Sequence, residues 1–86
     1  MPTQDDQFSI RRFHLIDGQE VRIYCKLVKV RTVMAMSFSL YEDERGLKWL
    51  EIAANGQSRL LPLSHETFEQ RVAAELLTLG FNKYSG

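Results

Sequence analysis

The chain has 86 residues, 10.0 kDa, with eleven Lys and Arg set against eleven Asp and Glu, so its formal net charge is zero and its pI is near 6.7. That length holds one domain, with a small core helped by a dimer partner. The balance of charge excludes the general basicity of a protein that coats duplex DNA. One cysteine, Cys25, excludes an intrachain disulfide and a multi-cysteine metal site, and points to a reduced, cytoplasmic setting.

In chain order, residues 1–7 (MPTQDDQ) are polar and contain Pro2, which predicts a flexible tail with order beginning near Phe8. They carry no basic-then-apolar leader, and no run along the chain has the roughly 18 uncharged apolar residues of a membrane span. Residues 8–16 (FSIRRFHLI) are aromatic and β-branched and end at Asp17-Gly18, a strong hairpin signal. The stretch from Val21 to Tyr41 has no Gly, Pro, Asn or Asp, yet its alternation changes phase. Val21, Ile23, Cys25 and Leu27 form one set, and Met34, Met36, Phe38 and Leu40 the other. A period of two cannot keep both sets on one face, so a break is required near Lys29 to Thr32. The polar KVRT favours two strands joined there, with a single strand bent by a β-bulge as the alternative.

A charged turn, YEDERG, then leads into LKWLEIAA, and Asn55-Gly56 marks a hairpin into SRLLPL, where Pro62 belongs on an edge or at a strand end. Ser64 reads as a helix N-cap, with Glu66 in the first turn and Leu63 stapled against Phe68. Phe68, Val72, Leu76 and Leu79 form the helical stripe, Ala73 and Leu77 widen it, and Gly80 stops it. The expected fold is a single two-layer α+β domain over residues 8–86. Its curved antiparallel sheet has about five strands (8–16, 20–29, 32–41, 47–53 and 58–63) and is packed by one C-terminal helix, 64–79.

Within residues 34–80, three groups carry a resemblance: Glu44-Arg45-Gly46 in the turn, Lys48-Trp49-Leu50-Glu51-Ile52 in the strand after it, and Ser58-Arg59-Leu60 to Leu63-Ser64 before the helix. This stretch resembles a PUR repeat, the ββββα unit of the purine-rich-element single-strand DNA and RNA binders, and its element order is similar to that of the Whirly-type single-strand binders. It departs from the PUR pattern at Glu51, where a basic residue is usual, and at Met36-Ser37-Phe38-Ser39, where the pattern is richer in aromatics. The resemblance implies a non-catalytic module that binds single-stranded nucleic acid on the sheet face turned away from the helix.

On the second strand, Arg22, Tyr24 and Lys26 alternate with the apolar set, a pattern suited to tracking phosphates while a ring stacks on a base. Arg11, Arg12, Lys48 and Trp49 extend the candidate contact set, and Lys29 and Arg31 lie at its end. Each has a plainer reading as a solvated strand residue, and Trp49 as core or dimer interface. Met34 and Met36 read as core filler and Cys25 as a small hydrophobe. The Glu42-Asp43-Glu44 cluster reads as a solvated turn, since it lacks the glycine and bidentate glutamate of a calcium loop. His14 and His65 have no metal-ligand spacing, and neither a nucleophile with a base nor a pair of carboxylates stands out beside the inert Cys25, so no cofactor, metal or enzymatic activity is expected. The alternative function is a protein-interaction module, an adaptor or inhibitor of a larger complex with no nucleic-acid contact, which the neutral charge favours.

Overall fold

In a computed structural model that describes residues 7–78, five strands form one antiparallel meander in the order β1-β2-β3-β4-β5. They are β1 (Ser9–His14), β2 (Glu20–Val33), β3 (Met36–Asp43), β4 (Lys48–Ala54) and β5 (Gln57–Leu63), followed by helix α1 (Phe68–Thr78). The sheet curls into a half-barrel whose two ends meet at a parallel bridge between Leu15 and Leu60. The expected tail falls largely, and the expected helix stop at Leu79 and Gly80 entirely, outside the described residues.

The phase change in the second strand is a β-bulge. β2 runs unbroken to Val33, and its register against β3 slips between Leu27 and Lys29, so Leu27 faces Tyr41 while Lys29 faces Leu40. Two strands joined near Lys29 to Thr32 are therefore replaced by one long bent strand. The turn comes later, at Met34-Ala35, where Met34 takes φ 57° and stands in solvent rather than filling the core. A two-residue hairpin needs a positive φ at its first position, and a methionine that adopts it gives no sequence signal.

The curl gives the sheet two cores, one on each face. On the outer face, Met36, Phe38, Leu40, Leu50 and Leu61 pack against Phe68 and Val72 of α1. On the inner face, Phe13, Cys25, Tyr41 and Leu60 are buried, with Leu15, Val21, Ile23, Leu27 and Trp49 packed around them. The bulge makes this possible, because it lets β2 send Val21, Ile23, Cys25 and Leu27 inward and then Val33 outward to the helix side.

The helix begins at Phe68, and its cap is Thr67, not Ser64. The Gln70 amide donates to Thr67 Oγ1 at 3.1 Å, and the Thr67 amide donates to Gln70 Oε1 at 3.0 Å. This reciprocal capping box has no counterpart at Ser64, whose third successor is Thr67 and has too short a side chain to reach back. Instead the amides of Ser64 and His65 both donate to Glu66 Oε1, forming the turn before the helix. Ala73 and Leu77 do not widen the buried stripe: both are exposed, Leu77 at 60%. Removing the cap oxygen in Thr67→Ala is expected to cost about 1 kcal/mol. Thermal denaturation would measure it, and Ser64→Ala would cost well under half as much.

Candidate nucleic-acid interface

Cross-strand neighbours share a face, so register locates each candidate residue. Lys26 faces Glu42, and Glu42 faces Lys48. Glu42 alternates with Leu40, which packs beneath α1, so Arg22, Tyr24, Lys26 and Lys48 lie on the helix-bearing side of the sheet. The expected placement on the face turned away from the helix is corrected: the bulge inverts β2, so its outer side before residue 27 is continuous with the helix side. α1 covers β3 to β5 and leaves the β1-β2 hairpin open.

Arg12 joins this set, because it faces Arg22 across the hairpin. Arg11 does not. It faces Ile23 on the inner side, where its guanidinium lies 5.4 Å from the Tyr41 ring centroid. Trp49 is also inside: it faces Tyr41 and Pro62, packs on the inner core, and its indole N–H donates to Asp43 Oδ2 at 3.1 Å. Arg11 is turned away from a strand lying across Tyr24, whereas Trp49, although packed on the inner core, lines a shallow depression together with Arg22 and Tyr24. Glu51, the acidic departure, is inside as well, accepting from the Tyr41 hydroxyl at 3.4 Å, so it does not oppose the basic patch.

Two residues complete the patch that the residue pattern did not single out. Phe8 stacks on Tyr24 with ring centroids 5.5 Å apart and planes 28° from parallel, and the Lys26 ammonium stands 5.4 Å from the Phe8 centroid. Arg45 borders a shallow depression of about 400 Å³ that Arg22, Ile23, Tyr24, Trp49 and the acidic Asp43 and Glu44 also line. The position of Phe8, two residues before Ile10 and four before Arg12, is a legible signal for the outer face of β1. Arg45 is not legible, because it is brought there by β2 extending past the end of β3.

The patch is modestly positive. Arg12 is held by Glu20 at 3.1 Å, Lys26 and Lys48 share Glu42 at 3.9 and 3.5 Å, and Arg45 pairs with Asp43 at 3.3 Å, so with Arg22 five cations face three carboxylates, and the exposed Glu44 borders the same depression. Among the described residues Arg22 has no carboxylate partner, and Tyr24 is 46% exposed. Lys29 and Arg31 do not extend it: both reach Glu69 of α1, Arg31 at 2.6 Å and Lys29 at 3.8 Å.

The acidic turn separates into three environments. Glu42 is shared by two lysines and Glu44 is exposed, whereas Asp43 is only 3% exposed, which corrects the expectation of a wholly solvated cluster. Asp43 accepts from the amides of Arg45 and Leu47 at 2.9 and 3.0 Å, from the Trp49 indole and from the Arg45 guanidinium. Burial pushes its carboxyl up, but these four donors outweigh burial and hold its pKa below the ordinary value. Cys25 is fully buried, and burial pushes its thiol up, away from the reactive thiolate. Among the described residues no group of three or more His, Cys, Asp or Glu is placed to hold a metal ion, and no helix is long and apolar enough to cross a membrane.

No family model, curated protein or solved structure matches the chain.

Proposed function

We propose that the chain is a non-catalytic single-strand nucleic-acid binding module that works through the outer face of its β1-β2 hairpin. The observation that carries this is the Phe8-Tyr24 stack, half open to solvent and framed by Arg12, Arg22 and Lys26. A ring with cations on either side is what an unpaired base with flanking phosphates requires: the base stacks and the phosphates pair. Duplex is disfavoured, since its bases offer no open face and so few cations give little non-specific attraction. The proposal keeps the PUR-like reading of residues 34–80 for the scaffold and moves contact to a hairpin that precedes that stretch. It also places the protein in a reducing, cytoplasmic compartment, in keeping with its lone buried thiol.

Fluorescence anisotropy with labelled single-stranded and duplex oligonucleotides across a salt series tests it. Binding is expected to prefer single strands and to fall with a log-log salt slope of about −1 to −3, as two to four phosphates would give. Tyr24→Ala should weaken it by about 1–3 kcal/mol, roughly five- to a hundred-and-fifty-fold. Absence of binding at low salt, or equal binding to duplex, rejects the reading.

A further inference from the structure

β1 pairs with β2 only as far as Ser9 and Cys25, whereas β2 continues along β3 to Val33. Among the described residues, Gln7 and Phe8 leave the ladder, so residues 27–33 of β2 pair on one side only. Among the described residues nothing pairs with the row of donors and acceptors that the backbone presents there. Val33 and Met36 close a two-residue hairpin and exchange both of their hydrogen bonds, as do Arg31 with Phe38 and Lys29 with Leu40 by alternation, so Val30 and Thr32 turn their N–H and C=O to the open side. Natural edge strands are blunted by proline, shortness, bulges or charge. This one has no proline; its bulge and the charges of Lys29 and Arg31 guard it against indiscriminate pairing, while Val28 and Val30 stand 40% and 54% exposed along it.

We propose that this edge is a docking site for an extended peptide that adds as a sixth strand, with acidic side chains at alternate positions and β-branched ones between them. The two sides of the edge set that pattern. On the helix side, Lys29 and Arg31 share the single carboxylate of Glu69, leaving cationic charge to be met, and both side chains are about half exposed, at 50% and 47%. On the other side Val28, Val30 and Thr32 present an apolar and hydroxylated strip. An added strand places its alternate residues beside these two sides in turn, so glutamate or aspartate meets Lys29 and Arg31 while valine, isoleucine or threonine meets Val30. A second copy fits worse. An antiparallel self-pairing centred on Lys29, Val30 or Arg31 sets Lys29 against Lys29, Lys29 against Arg31, or Arg31 against Arg31, and directly opposed like charges destabilise a ladder. The inference does not depend on nucleic-acid binding, which uses the hairpin on the other side of Cys25.

The test uses the full chain and a short fluorescein-labelled peptide of alternating glutamate and valine, followed by anisotropy. Saturable binding is expected, about tenfold or more weaker for the lysine-valine counterpart and for the same peptide N-methylated at alternate residues, which removes the donors a ladder needs. Val30→Glu, a change at an exposed position, should weaken binding by about tenfold or more while circular dichroism and oligonucleotide binding stay as in the parent. Equal binding of the N-methylated peptide overturns the proposal in favour of simple charge attraction. Light scattering that shows a dimer abolished by Val30→Glu overturns it in favour of a second copy. Peptide binding that appears only after deletion of residues 1–6 overturns it in favour of the chain's own N-terminus.

Discussion

Replacing Asp43 by alanine is expected to destabilise the protein by about 2–4 kcal/mol, because it strands donors that the fold has arranged around one carboxylate. The Arg45 and Leu47 amides sit in the tight turn between β3 and β4, and the Trp49 indole lies against the inner core, so water replaces the aspartate oxygens incompletely. Asp43→Asn separates the contributions. Its carbonyl can serve the two amides, but its NH₂ group faces the indole N–H and the Arg45 guanidinium, so about 1–2 kcal/mol is still lost. The same residue sets an acid limit. Because its folded pKa is lower than its unfolded one, its contribution is present above the unfolded value near 4 and disappears as pH falls through the folded value. Urea midpoints measured from pH 6 to pH 2.5 should fall below about pH 4 in the parent, and Asp43→Asn should flatten that fall. A parallel decline in both proteins would place the acid sensitivity elsewhere.

Phe38→Ala is expected to cost about 3–5 kcal/mol, the range for emptying a buried aromatic site. Phe38 is fully buried at the centre of the outer core, between the sheet and the Phe68-Val72 face of α1. The helix is buried only through Phe68 and Val72, with Leu76 partly covered, so a cavity beneath it removes much of what holds the second layer down. A domain of this size has on the order of 5–10 kcal/mol in total, and the variant should be partly unfolded at 37 °C. Chemical denaturation would show the loss, and Phe38→Leu, which keeps most of the volume, should lose only about 1 kcal/mol.

Alternation in the sequence was enough to place five strands and one helix, because each strand keeps its period of two over several residues and the helix keeps its spacing of four at Phe68, Val72 and Leu76. What alternation could not show was which face was which. In a flat sheet with one covering helix, the polar set of β2 would look away from the helix. Here the curl buries an apolar set on both faces, and the slip after Leu27 exchanges inside and outside within a single strand. Arg11 and Arg12 are adjacent and chemically alike, and only the cross-strand pairing of Arg12 with Arg22 and of Arg11 with the inward Ile23 shows that Arg12 looks outward. Two boundaries failed for local reasons. Met34 occupies a position that glycine or asparagine would have advertised, and Ser64 resembles a cap in isolation while Thr67 has the glutamine at the right distance to complete one.

Among the described residues the half-barrel closes at a single bridge, Leu15 to Leu60, while every full ladder joins strands that are neighbours in the chain. During folding, each hairpin can form by closing a short loop and then serve as the template for the next, so the entropy of bringing distant segments together is confined almost entirely to that last junction. The chain should reach its sheet quickly and seal it late. On that order the hairpin that bears the Phe8-Tyr24 stack would take its final place last, as the two ends of the sheet meet.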